Sequence, residues 1–135
     1  MGMRIQEATD ADIPGAAQGE ANAYDTGGPS LFFPGPFLVS RVETRSNLII
    51  DLRKNDPTCR LLIVVDEETG EQMGFAKYHI YKTSEDVASS AGRPVPSGPG
   101  TNEAACEAFF GGLVTKKKAI MGTKPHICTS GLQCA

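Results

Sequence analysis

The chain has 135 residues, 40% of them hydrophobic, enough for one modest domain with its own core. Its formal net charge of −3 excludes a global basic field for nucleic acid or an anionic membrane surface. No apolar run reaches membrane-spanning length and MGMRIQEATDAD lacks the apolar stretch of a secretory signal, so the expectation is a cytoplasmic protein with neither a nucleic-acid nor a membrane partner.

Arg4 to Ala8 predicts a short first strand, followed by Thr9 or Asp10 as a helix N-cap. Ile13, Ala17, Ala21 and Tyr24 then recur at helical spacing. Pro14 suits a first turn, while Gly15 and Gly19 lower the propensity, so this helix depends on packing. Residues 25–36, DTGGPSLFFPGP, form a Gly- and Pro-rich loop carrying Leu31, Phe32 and Phe33. Such a loop either folds back onto the core or walls a substrate pocket. Phe37 to Asn55 predicts the best helix, with Leu38, Val42, Arg45, Ile49 and Leu52 on one course and Leu48 beside them. Asp56-Pro57 stops it, and Arg53 and Lys54 suit its C-terminal dipole.

The run Arg60 to Tyr81, RLLIVVDEETGEQMGFAKYHIY, predicts a β-hairpin. Leu61 to Val65 are apolar on both faces, which predicts a sheet covered on both sides. Asp66 to Gly70 supply the turn, with Gly70 free to take positive φ. Residues 83–101 are dominated by Ser, Gly and Pro and predict a mobile insert. Asn102 can cap a helix running to about Met121, with Ala105, Phe109, Leu113 and Ile120 inward, Gly111-Gly112 as a weak point and Lys116 to Lys118 solvated. His126 to Ala135 predicts a last strand, in which Gly131 marks a bulge or a close approach.

None of the four cysteines, Cys59, Cys106, Cys128 and Cys134, forms a Cys-x-x-Cys pair, so core thiols are expected and no metal site is assigned. His79 shares a strand face with Lys77 and Tyr81 and reads as a partly exposed sheet histidine; His126 reads as local capping. Glu103 and Glu107 lie on one helix side and read as solvated carboxylates. No catalytic base is assigned.

The element order, with RIQEATDADI, FFPGPF, VVDEETGEQMGFAKYHIY and KAIMGTKPHICTSGLQC, resembles the N-terminal half of the GNAT family of N-acetyltransferases in its fungal form. The resemblance runs from about Met3 to Ala135. It implies an α/β fold, here an incomplete antiparallel four-stranded portion of a mixed sheet with flanking helices, as a single partial domain over 1–135. The implied reaction is acetyl transfer from acetyl-CoA to an unspecified amine. By position, the backbone of Leu132, Gln133 and Cys134 would hold the cofactor, and Phe33, Pro34, Phe37 and Tyr78 would line the acceptor side. The departure is the family's [QR]-x-x-G-x-[GA] pyrophosphate loop, whose backbone N–H groups cradle phosphate and which has no counterpart here. A truncated, weakly active or inactive enzyme is therefore expected, with self-association through an open sheet edge; the alternative is a non-catalytic binding module that keeps the acceptor half.

Overall fold

The structure, a computed structural model, describes residues 2–24, 31–37, 39–90 and 94–134, with the side chains of Tyr24 and residues 130–134 outside that set. Two compact units make up the chain: the first comprises Met1–Tyr24, Val39–Tyr81 and Ile127–Ala135, the second Asp25–Leu38 and Lys82–His126.

In the first unit, strand β1 (Met3–Glu7) leads through a three-residue 3-10 turn (Asp10–Asp12) into helix α1 (Ile13–Tyr24). Asp12 fixes this start: its Oδ2 accepts from the Thr9 N–H at 2.7 Å and from the Thr9 hydroxyl at 2.9 Å. Ile13, Ala16 and Ala17 are buried. The two alanines let a helix weakened by Gly15 and Gly19 lie close against its neighbours while Ile13 fills the core, so packing supplies what propensity does not.

Helix α2 (Arg41–Asn55) packs on α1. It begins later than the sequence predicts, because Ser40 takes φ −53° and ψ 130° at the N-cap, leaving Phe37 and Val39 exposed ahead of it. Leu38 lies outside the described residues. Leu48 is exposed, and the inward position belongs to Ser46, whose hydroxyl donates to the Val42 carbonyl at 2.7 Å. A serine satisfied by its own helix can sit in a dry interface that a search for apolar residues passes over. Arg45, on the same course as Val42 and Ile49, is half-buried and holds Glu20 of α1 at 2.8 and 3.2 Å.

Strands β2 (Cys59–Asp66) and β3 (Gln72–Tyr81) form the expected hairpin. Asp66 Oδ1 accepts from the Glu68 and Thr69 N–H groups, and Gly70 takes φ +72°. With β4 (His126–Cys134) the strands form one antiparallel sheet of order β1-β2-β3-β4 flanked by helices. Met3 stands opposite Asp66, Glu7 opposite Leu62, Leu61 opposite Lys77 and Ile63 opposite Phe75. The core gathers Ala8, Ile13, Ala16, Ile49, Cys59, Leu61, Ile63 and Phe75. One sheet face is therefore dry. Leu62 and Val64 on the other are only half-buried, which corrects the expectation of cover on both sides. A continuous apolar run reads the same whether its second face is packed or merely flanked by cross-strand neighbours.

In the second unit, the segment read as a mobile insert contains a short helix, α3 (Ser84–Ser89). Its signal is local: the Asp86 N–H donates to Thr83 Oγ1 and the Thr83 N–H donates to Asp86 Oδ2, a capping box inside a Ser-rich run. Residues 91–93 lie outside the described set. The long helix forms in three pieces: α4 (Glu103–Cys106), a π-helical stretch (Glu107–Gly111) and α5 (Gly112–Met121). Asn102 caps it as expected, Oδ1 accepting from the Ala105 N–H at 3.2 Å. The inward residues are Cys106 and Phe110, whereas Phe109, Leu113 and Ile120 are at least half exposed. Adjacent phenylalanines offer two helical stripes of equal apolarity, and the sequence pattern selects the wrong one. Phe32 packs against Phe109 and Phe110, with ring centroids 5.3 Å from each. Gly100, at φ +81°, admits no side chain, because a Cβ there would lie 2.6 Å from the Pro36 carbonyl oxygen.

Ile63→Ala is expected to cost about 2–5 kcal/mol through its cavity, and Leu48→Ala under about 0.5 kcal/mol, as measured by urea unfolding.

Candidate functional site

The alternation of β3 places Phe75, Lys77, His79 and Tyr81 on the core face, and all four are buried. The face changes character along its length. Ile63, Leu61 and Phe75 make one end apolar, while Cys59, Lys77, His79 and Tyr81 make the other polar.

The polar end is anchored where α2 stops. The Asp56 N–H donates to the Leu52 carbonyl at 2.8 Å, and Asp56 Oδ1 accepts from the Thr58 N–H at 2.9 Å and the Thr58 hydroxyl at 2.6 Å. Thr58 Oγ1 in turn lies 3.0 Å from His79 Nδ1, and Asp56 Oδ2 lies 3.4 Å from the same nitrogen. With the threonine proton committed to the carboxylate, the network assigns the remaining donor role to Nδ1–H of His79. The imidazole stacks on Tyr81 with centroids 5.7 Å apart and planes within 7°. Across the ladder, Cys59 faces His79. Burial pushes the Cys59 thiol above its usual range, with the nearby Lys77 charge opposing the rise. An oriented carboxylate, a fixed imidazole and a protonated thiol can hold protons at defined atoms. His79 is 8% exposed, which corrects the reading of a partly exposed histidine. Its spacing places it on one face with Lys77 and Tyr81, and nothing local in a Lys–His–Tyr face marks that face as turned inward. Thr58 carried no sequence signal beyond following Pro57.

The other candidates separate. Leu132, Gln133 and Cys134 lie on the β4 backbone, and their side chains fall outside the described residues, as does any bulge detail at Gly131. Tyr78 belongs to the first unit and is half-buried on the β3 face opposite His79. Phe33, Pro34 and Phe37 belong to the second unit; Phe33 makes an edge contact with Phe32 at 6.5 Å, while Pro34 and Phe37 are exposed. Gly35 ties this loop to the next, its N–H donating to the Gly100 carbonyl at 2.9 Å. His126 donates from Nδ1 to the Lys124 carbonyl at 2.7 Å, the local capping expected of it. Glu103 and Glu107, with Val95, Pro96, Ser97 and Ala104, line an open cleft of about 460 Å³ in the second unit. Glu103 Oε1 there accepts from the Gly98 N–H at 2.9 Å. Cys59, Cys106 and Cys128 are free thiols, the first two buried as expected of core cysteines.

No protein-family profile matches the chain, and no curated protein does. A solved structure described as histone acetyltransferase HPA2 and related acetyltransferase from Corynebacterium glutamicum is similar at 20% identity and a TM-score of 0.42, over 90% of this chain and 73% of that one. A superposition this loose carries no argument about activity. No helix among the described residues is long and apolar enough to cross a membrane.

Asp56→Ala strands the Thr58 N–H and hydroxyl and is expected to cost about 1–3 kcal/mol, measured by urea unfolding. The raised Cys59 thiol gives a second expectation. Its stabilising contribution is complete below the ordinary thiol range near about pH 8.5, where both states are protonated, and is lost as pH rises through the folded value, because the unfolded chain ionises first. Unfolding midpoints followed upward from pH 7 should fall in the wild type more steeply than in Cys59→Ala.

Proposed function

We propose that the chain is an N-acetyltransferase-like protein of the GNAT type, whose family reaction is acetyl-CoA-dependent acetylation of an amine. The observation that carries this is the antiparallel order β1-β2-β3-β4, with α1 and α2 both inserted between β1 and β2. It accompanies the G-x-A-K-aromatic run Gly74-Phe75-Ala76-Lys77-Tyr78 and the G-x-K-P-H run Gly122-Thr123-Lys124-Pro125-His126. In this reading the β4 backbone at Leu132, Gln133 and Cys134 receives the acyl carbonyl and pantetheine, and Phe33, Pro34, Phe37 and Tyr78 serve the acceptor. The insert 83–101 stays peripheral to the chemistry. The protein works in the cytoplasm, and an open edge of its sheet provides a route to self-association. With no [QR]-x-x-G-x-[GA] run in the 135 residues, binding rests on the acyl and pantetheine end alone. The same deficit supports the second reading, a non-catalytic module that retains the acceptor half.

The test is a titration with acetyl-CoA followed by backbone amide shifts. The expected result is a Kd at or above roughly 1 mM, about −4 kcal/mol, with shifts centred on Leu132 to Cys134. Saturable binding that leaves those amides unmoved, or none at all at several times that concentration, would sink the proposal.

A further inference from the structure

We infer that β1 is a homodimer interface, pairing antiparallel with β1 of a second copy about a two-fold axis at Ile5. This rests on the edge geometry and is independent of the catalytic reading. Strand β1 is the first in the sheet order and pairs only with β2 among the described residues. Its residues are open to solvent: Met3 is 58% and Ile5 68% exposed, and Arg4 and Glu7 are exposed as well.

The ladder fixes which backbone groups that edge offers. The Ala8 N–H donates to the Leu61 carbonyl at 3.0 Å, and the Glu67 N–H donates to the Gly2 carbonyl at 3.0 Å. Both pairs continue the register in which Met3 stands opposite Asp66. In an antiparallel ladder hydrogen-bonded and non-hydrogen-bonded pairs alternate, so the even-numbered residues spend their backbone groups on β2. The N–H and C=O of Met3, Ile5 and Glu7 therefore point outward.

A second copy matches this array. A two-fold axis normal to the sheet keeps equivalent faces together, so paired residues must share parity. Centring the axis on Ile5 makes Ile5 face Ile5 and Met3 face Glu7, both as hydrogen-bonded pairs built from the outward groups. Arg4 then stands opposite Gln6, and Glu7 opposite Met3, so no like charges oppose each other directly. The exposed Ile5 side chains meet at the axis, and the two four-stranded sheets become one.

Sedimentation of the full chain over a concentration series tests this, together with oxidative cross-linking. The expected wild-type result is a concentration-dependent dimer. I5P should be monomeric while still unfolding cooperatively, because the N–H it removes faces away from β2 and proline is tolerated on such an edge. Should I5P fail to fold, I5K keeps that N–H, sets like charges at the axis and should be monomeric. Oxidised I5C should give a disulfide dimer, since hydrogen-bonded pairs place Cα atoms about 5.5 Å apart, within disulfide reach. Q6C, facing Arg4, should give less. A wild-type monomer at every concentration, a dimer that survives I5P and I5K, or one abolished only by L132K on β4 would overturn the assignment.

Discussion

One dry interface supports the first unit. Cys59, Leu61, Ile63 and Phe75 from the sheet meet Ala8, Ile13, Ala16 and Ile49 from the segment around α1 and from α2. Burial of this surface is what makes a glycine-containing α1 and a charged α2 fold where they do. The Arg45–Glu20 pair adds orientation more than stability, since both side chains remain about a quarter exposed.

The same face has to change character toward the end of β3, because the period of a strand brings Lys77, His79 and Tyr81 inward with Phe75. Buried polar groups need partners. The junction after α2 supplies them: Asp56 holds Thr58, Thr58 holds His79, and Tyr81 covers the ring. Helix termination and strand register are thus coupled. Altering the Asp56-Pro57-Thr58 turn moves the partner of a buried imidazole one strand away.

What the sequence revealed was what local chemistry decides. The Asp66–Gly70 turn, the Asn102 cap and the hairpin each depend on residues within a few positions of one another, and each forms as read. What it hid was decided by neighbours distant along the chain. Ser46 takes an inward position that Leu48 was expected to support, and Phe110 does so rather than Phe109. Only the opposing surface distinguishes such candidates. The candidate site was legible in part for the same reason. The strands bearing Tyr78 and Leu132 to Cys134 were identifiable, but no local pattern tells that a lysine–histidine–tyrosine face is turned inward.

The π-helical stretch from Glu107 to Gly111 carries a structural history of its own. A π turn is an α turn with one residue too many, and it persists only where surrounding contacts hold the helix on both sides of the excess. Here Cys106, just before the stretch, and Phe110, within it, are buried, while Gly111 and Gly112 keep ordinary helical angles, with φ −62° and −60°. The stretch therefore acts as a phase joint. Loss of a single residue within it would restore α periodicity and leave Leu113, Lys116 and Ile120 on the faces they now hold, whereas the same loss within α5 would turn every side chain beyond it about 100° around the axis.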